Sequence, residues 1–193
     1  MKTEKNALRR QFRLARKSLT PHERRAATRV IVCRLRPFIK RGKRIALYCA
    51  VGSELDLRAL IATAKQRQAQ VFVPYIERGK RELWFTPLQN LKQRERGDAS
   101  GFGIPQFAGK KLRAKWLNVM FLPLVGADKN GYRLGQGGGF YDATLARAQH
   151  GKPLKVGTAF ACQICDNLPH EAHDIRLDYL ISEDFVGNFR RKK

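Results

Sequence analysis

The chain has 193 residues, and its 39 lysines and arginines against 16 aspartates and glutamates give a net charge of +23. A hydrophobic share of 43% is typical of a globular protein and argues against an intrinsically disordered chain. Because no apolar run approaches the ~20 residues of a membrane span, and the amino terminus lacks the apolar core of a signal peptide, we expect a cytoplasmic protein with no membrane partner.

The positive charge is spread along the chain and ends in a short basic tail at 190–193. Such a field attracts anions, whether a nucleotide, a polyglutamate or a nucleic acid. We expect it mainly to attract an anionic substrate, since the sequence contains no recognisable nucleic-acid-binding motif. A basic nucleic-acid-binding protein stays open as an alternative.

Two helices are predicted at the amino terminus, over about 3–36. The apolar residues that recur at helical spacing in the first are Leu8, Phe12, Ala15 and Leu19. Thr20 and Glu23 have the spacing of a capping box, with Pro21 at the first helical position of the second helix. This helix should stop before Pro37.

Strands and helices then alternate to the end of the chain. The predicted strands are 44–49, 70–74, 83–86, 119–123, 155–160 and 178–182. This alternation predicts a mainly parallel sheet with helices on both faces, in a single domain spanning residues 1–193.

The first predicted strand is followed by Gly52, Ser53, Glu54, Leu55 and Asp56, at the end where open α/β sheets bind ligands. Glu54 could therefore bind a substrate. It could equally cap the next helix, and Asp56 competes with it for that role.

A glycine-rich loop, residues 133–142, lies between the strand 119–123 and a helix predicted from Ala143. Glycines allow close approach of backbone N–H groups to a ligand, and a helix amino terminus adds unpaired donors. With Arg133 at its entrance, the loop has the parts of a phosphate cradle. It matches neither the Walker A motif nor the dinucleotide fingerprint, and a tight structural turn is the alternative.

The residue types Cys162, Cys165, His170 and His173 are those of a zinc site. The four residues between Cys165 and His170 are too few for a zinc finger, which needs ~12 or more. We expect a buried, reduced cysteine pair and surface histidines.

The glycine-rich loop, with its lead-in at 123–128 and Gly131, resembles the signature of the 5-formyltetrahydrofolate cyclo-ligase family, also called methenyltetrahydrofolate synthetases. The resemblance covers nearly the whole chain. It implies a three-layer Rossmann-like fold of the kind shared by ribose-5-phosphate isomerase and CoA transferases. It also implies ATP-dependent conversion of 5-formyltetrahydrofolate to 5,10-methenyltetrahydrofolate through a phosphorylated formyl group, with Mg²⁺ as cofactor. The folate could carry a polyglutamate chain, and we expect a monomer.

The resemblance also implies site residues. Those for ATP are Lys5, Arg9, Arg133, Leu134, Gly135, Gln136, Gly137, Gly138, Gly139, Phe140 and Tyr141. Those for the folate are Cys49, Glu54, Phe102, Gln136, Gly137, Gly138, Gly139 and Tyr141. Those for the metal are Asp142 and Asp178. No nucleophile or base is implied.

Each of these roles has a plainer alternative. Asp142 could be only a helix cap, Asp178 could only pair with Arg176, and Phe102 could be a core aromatic. Eukaryotic relatives often carry basic residues where this chain has Gln136 and Gly138. A sugar-phosphate or CoA-ester enzyme of related fold would also use a glycine loop, and independence of Mg²⁺ would favour it.

Overall fold

The computed structural model describes residues 2–88, 104–148 and 153–190. The α helices of these ranges are α1 (Lys2–Ser18), α2 (Pro21–Leu35), α3 (Ala59–Gln66) and α4 (Phe140–Arg147). The strands are β1 (Arg44–Ala46), β2 (Gln70–Ile76), β3 (Leu83–Pro87), β4 (Val119–Leu122), β5 (Gly126–Asp128), β6 (Arg133–Leu134), β7 (Leu154–Thr158), β8 (Ile164–Cys165), β9 (Tyr179–Ile181) and β10 (Val186–Asn188).

The main sheet of the described chain has seven strands in the order β10-β9-β7-β4-β1-β2-β3. The five inner strands are parallel, and β3 and β10 are antiparallel edge strands. A second, three-stranded sheet has the order β6-β5-β8. The predicted mixed α/β fold with a mainly parallel sheet is confirmed.

The alternation of side chains along β4 shows why helices cover both faces of the sheet. Val119 and Phe121 face a core that includes α2 and α3. Met120 and Leu122 face a second core, which includes α4. All four side chains are buried, as expected for a central strand of a parallel sheet, and the result is a three-layer arrangement.

Helix α2 begins where the sequence predicted. Thr20 accepts a hydrogen bond from the Glu23 amide at 3.2 Å, and the Glu23 carboxylate accepts one from the Thr20 amide at 2.8 Å. The capping box is therefore formed, and α2 ends at Leu35, before the predicted stop at Pro37. Among the helices described, none is both long and apolar enough to cross a bilayer.

The chain between β4 and α4 is more structured than the sequence suggested. In place of one glycine turn it forms the β5–β6 hairpin, and α4 begins at Phe140 rather than Ala143. Buried Asp128 holds the hairpin turn, because its Oδ1 accepts hydrogen bonds from the amides of Asn130 and Tyr132, both at 2.9 Å. Its Oδ2 accepts one from the Leu168 amide at 3.0 Å, which ties the turn to the loop before β9.

Helix α1 lies against this small sheet through Phe12, which is 5% exposed. Phe12 belongs to a small apolar cluster with Val125, Leu134 and Leu168. The ring covers Gly126 so closely that a Cβ at this position would overlap it. Gly126 is thus required for α1 to dock where it does.

We predict that Gly126→Ala destabilises the protein by about 1–3 kcal/mol, because the added methyl group forces the Phe12 ring and α1 outward. Urea unfolding measures the change. Gly135→Ala is the matched control, since a Cβ there meets no atom within 4 Å. Equal stability of Gly126→Ala and the wild-type protein would show that α1 docks without this contact.

Candidate functional site

The candidate site lies at the carboxyl ends of β1 and β4. From β1 the chain passes to β2 on one side of the sheet, and it later returns to β4 on the other side. Open α/β sheets bind ligands at such a point, because the loops leaving the two strands diverge there. The β1 loop, residues 47–58, meets the glycine-rich loop in a hydrogen bond from Gln136 Nε2 to Glu54 Oε1 at 2.9 Å. The structure therefore brings together two of the predicted site segments.

The backbone of the glycine-rich loop needs its glycines. Gly137 has φ +105° and Gly139 has φ +67°, values that side chains with a Cβ rarely adopt. A Cβ at Gly138 would lie 2.8 Å from the Phe140 ring. Gly139 is the N-cap of α4 and offers no side chain to the first amides of the helix. These amides are the donors that suit an anion at a helix amino terminus.

One side of α1 presents cations to this loop. Arg9 Nε donates to the Gly135 carbonyl at 2.9 Å, and Arg13 donates to Gln136 Oε1 at 2.5 Å. Burial lowers the pKa of Arg9, and nearby Arg13 lowers it further. Arginine nevertheless stays charged at neutral pH, so the loop lies beside a permanent positive charge.

Two further arginines, which the sequence reasoning did not assign, hold the β1 loop against α1 and α2. Arg16 is 5% exposed, and its Nε donates to Ser53 Oγ at 3.1 Å. Arg24 donates to the carbonyls of Ser53 and Arg16 at 2.7 Å and 2.6 Å. Burial lowers the pKa of Arg16, while the charge of Glu54 acts in the opposite direction. The residue before Glu54 is thus fixed by both amino-terminal helices.

Arg133 is buried beneath the loop and is bonded to Asp142. Arg133 donates to Asp142 Oδ1 at 2.8 Å and to the Ile175 carbonyl at 2.9 Å, and its side chain is 4% exposed. Asp142 Oδ1 also accepts from the Ile175 amide at 3.4 Å. Because Gly139 occupies the N-cap position, the alternative that Asp142 is the helix cap is wrong.

Asp174 joins the site, although the sequence reasoning did not select it. Its Oδ2 lies 2.9 Å from Lys5 Nζ and accepts the Glu171 amide at 2.8 Å. Burial acts to raise the pKa of Asp174, but the Lys5 hydrogen bond and charge outweigh it, and the pKa is lowered. Asp174 directly precedes Ile175, so Asp142 and Asp174 flank one peptide group. The hydrogen bond from the Ile175 amide to Asp142 is what distinguishes Asp174 from the other carboxylates in its loop.

Asp178 lies elsewhere in the fold. Its Oδ2 accepts the Lys155 amide at 2.8 Å and lies 2.9 Å from Lys155 Nζ. It directly precedes β9, at the amino end of that strand. The alternative partner, Arg176, donates instead to the Asn130 carbonyl at 2.5 Å.

Among the remaining predicted residues, Leu134 packs in the Phe12 cluster and Phe140 packs against the core that includes α4. Cys49 belongs to the β1 loop, and Tyr141 lies near it. Burial raises the pKa of Tyr141, and the nearby Cys49, Glu54 and Tyr48 act in the same direction, so Tyr141 stays a neutral phenol. Cys49, Glu54 and Tyr48 therefore lie near enough to Tyr141 to act on its charge. Phe102 lies outside the described residues.

The Cys162 and Cys165 thiols are free, and both residues are half-buried, so the expectation of a buried pair is wrong. Partial burial raises the pKa of both thiols. Across 2–88, 104–148 and 153–190, no group of three or more His, Cys, Asp and Glu side chains is arranged to hold a metal ion.

The chain was compared with known proteins. The model of the 5-formyltetrahydrofolate cyclo-ligase family matches residues 1–183. A 5-formyltetrahydrofolate cyclo-ligase of Haemophilus influenzae is 33% identical over 187 residues, covering 92% of this chain and 97% of that protein. The NMR structure of Aquifex aeolicus 5,10-methenyltetrahydrofolate synthetase has a TM-score of 0.83 and 30% identity, covering 98% of this chain and 94% of that chain. A synthetase from Mycoplasma pneumoniae has a TM-score of 0.75 and 26% identity, covering 93% of this chain and 99% of that chain.

We predict that Ser53→Ala lowers the free energy of unfolding by roughly 1–3 kcal/mol, because it removes the Oγ acceptor of a buried arginine. The control is Ser18→Ala, which removes an exposed hydroxyl bonded to the Ala15 carbonyl and should change stability by less than about 0.5 kcal/mol. Urea unfolding of both variants measures the difference. Equal stability of the two variants would show that Arg16 does not depend on Ser53.

Proposed function

The chain belongs to the 5-formyltetrahydrofolate cyclo-ligase family, and from that premise we propose that it converts 5-formyltetrahydrofolate and ATP to 5,10-methenyltetrahydrofolate, ADP and phosphate. The observation that carries this proposal is the glycine-rich loop, which Arg9 contacts from α1 and whose first residue, Arg133, bonds to Asp142 at its end. Phosphoryl transfer depends mainly on positioning and on neutralising phosphate charge. The loop and its two arginines are suited to both tasks.

The reaction needs no nucleophilic side chain. The formyl oxygen attacks the γ-phosphorus of ATP, and ADP leaves. N10 of the folate then attacks the activated formyl carbon, the ring closes, and phosphate departs with the former formyl oxygen and takes up the proton that N10 loses. The protein must hold the two substrates in line and stabilise the negative charge of the transferred group. In our proposal the α4 amides and the guanidinium groups of Arg9 and Arg133 stabilise that charge.

We propose that the folate lies between the β1 loop and the glycine-rich loop. Glu54 is held by Gln136 and by the Val51 amide, which donates to it at 3.1 Å. A fixed carboxylate can accept hydrogen bonds from the N–H groups of a pterin, and Tyr141 adds a neutral phenol beside it. Cys49 lies on the same loop as Glu54. Phe102, outside the described residues, stays a predicted contact.

Mg²⁺ fits the carboxylates beside the loop. This ion is typically bound by one or two carboxylates together with phosphate oxygens and water. Among the described residues, the hydrogen bonds that reach Asp142 fall on Oδ1, and its side chain is 30% exposed, so Oδ2 is placed to bind an ion. Asp174 is the second carboxylate of this cluster, and we propose Asp142 with Asp174 as the metal ligands. The ion would neutralise phosphate charge during transfer.

The assignment of Asp178 to the metal stays a prediction that competes with this one, since Asp178 lies at the amino end of β9 and the candidate site lies at the carboxyl ends of the strands. Lys5 lies next to Asp174, so it is close to any phosphate that shares the ion. The cytoplasmic location, the monomeric state and the acceptance of polyglutamylated folate also stay predictions.

We expect purified protein to form the methenyl product, seen as its absorbance band, when it is mixed with 5-formyltetrahydrofolate and MgATP. Omitting ATP should abolish the signal, because the formyl oxygen is then not phosphorylated. Gly137→Ala is the control that links activity to the glycine-rich loop. It should stay folded but lose activity, because alanine is strained at φ +105° and the loop backbone must shift. Folded wild-type protein that forms no product would contradict the proposal.

Three single substitutions test which carboxylates bind the metal. Asp142→Asn and Asp174→Asn should each need at least tenfold more Mg²⁺ and turn over roughly a hundredfold more slowly, a ~3 kcal/mol loss of transition-state stabilisation. The reason is that asparagine lacks the charge that binds a hard cation. Turnover is measured against Mg²⁺ concentration, beside a melting curve for each variant.

Asp178→Asn is the comparison variant in the same titration. Loss of its pair with Lys155 should lower the melting temperature but leave the Mg²⁺ dependence unchanged. If Asp178→Asn shifts the Mg²⁺ dependence and Asp174→Asn does not, the assignment of Asp178 from sequence is right and Asp174 is only a partner of Lys5.

A further inference from the structure

The edge of the main sheet opposite the candidate site carries a second basic surface. The parallel strands β2, β1 and β4 begin there, at Gln70, Arg44 and Val119. We call this the amino-edge surface, and define it by Lys40, Arg41, Lys43, Arg44, Lys115 and Trp116. Two shallow depressions lie on this surface, one lined by Lys40 and the other by Lys43. They are adjacent, since the Lys43 amide donates to the Lys40 carbonyl at 3.2 Å.

The five cations of this surface have no acidic neighbours in sequence. The segments 36–46, 65–70 and 110–118 contain no aspartate or glutamate. Within the part of the chain that the structure describes, none of the five cations forms a salt bridge. At the carboxyl edge Lys5 and Arg133 are paired with carboxylates, while Arg9 and Arg13 bond to uncharged acceptors. The amino-edge surface is therefore a cluster of uncompensated positive charge.

Trp116 is the second observation. Its side chain is exposed, at 56%, although tryptophan is usually largely buried. It lines the same depression as Lys43 and Lys115, and Lys115 Nζ lies 5.4 Å from its ring centroid. A flat aromatic face among unpaired cations is the combination that binds single-stranded nucleic acid, where bases stack and phosphates meet cations.

We propose that the amino-edge surface binds single-stranded nucleic acid without sequence preference, as a second function separate from the enzyme site. The phosphates contact Lys40, Arg41, Lys43 and Lys115, and one unpaired base stacks on Trp116. A duplex would satisfy this surface less well, because its bases are already stacked on one another.

Other partners fit the surface less well. Trp116 is its one large exposed apolar side chain among the described residues, so it offers little for a lipid bilayer or for an apolar protein interface. A second copy of this chain would bring like charges together. A polyanion with unpaired bases can contact both the cations, through its phosphates, and the aromatic ring, through a base.

The test is fluorescence anisotropy of labelled 20-nucleotide strands of uridine and of thymidine, and of a duplex of equal length, with full-length protein at several salt concentrations. Trp116→Ala should weaken single-strand binding about tenfold. The double variant Lys43→Ala/Lys115→Ala should reduce the slope of log K against log salt by about 1.4, because two phosphate contacts are lost. Both should keep the wild-type cyclo-ligase rate.

The matched control is Arg25→Ala/Arg29→Ala, which removes two exposed cations from α2 and should leave binding nearly unchanged. A control variant that weakens binding as much as the Lys43/Lys115 pair would overturn the proposal, since net charge alone would then explain it. So would displacement of the strand by MgATP, tighter binding of the duplex, or binding of anionic vesicles but of neither single strand. Equal binding of uridine and thymidine strands is the expected result, and a hundredfold preference would contradict a surface without base or sugar readout.

Discussion

The position of α1 depends on the contact between the Phe12 ring and Gly126, and the candidate site depends on α1. The ring fits only because residue 126 has no Cβ, and this brings the helix close to the small sheet. At that distance Arg9 reaches the Gly135 carbonyl and Arg16 reaches Ser53. An apolar contact thus sets where α1 lies, and the hydrogen bonds of Arg9 and Arg16 then hold the two loops against the helix.

The sequence predicted the parts of the fold that depend on local patterns. The apolar runs of β1 and β4, the capping box at Thr20 and the backbone demands of the glycine-rich loop follow from side-chain periodicity and from the chemistry of single residues. The β5–β6 hairpin was missed, because strands of three and two residues are too short to show a period. Its turn is held by Asp128, whose three amide partners come together only after folding.

The same limit applies to the site. Glu54 and Gln136 were predicted as neighbours of one ligand, and the structure joins them directly. The loop before β9 holds Glu171, Asp174 and Asp178 within eight residues, and spacing cannot tell which carboxylate faces α4. The Ile175 amide donates to Asp142, which brings this part of the loop to α4, and the preceding residue, Asp174, then lies beside Lys5. The roles of Arg16 and Arg24 were also beyond the sequence, since a buried arginine cannot be told from an exposed one by spacing.

Helix dipoles account for some of the positive charge at the amino edge of the sheet, but not for all of it. Helices α2 and α3 run back toward this edge, and cations near helix carboxyl termini are stabilising. Arg67, next to the end of α3, donates to the carbonyls of Arg36 and Ile39 at 2.6 Å and 3.0 Å. It thus places a cation beside the carboxyl terminus of α2. Lys43 lies in a loop and Lys115 lies in a 3₁₀ helix of only three residues, so a helix dipole adds little for either cation. Their clustering around an exposed tryptophan is thus not explained by the helices, and an anion that carries a flat ring would contact both the cations and the indole.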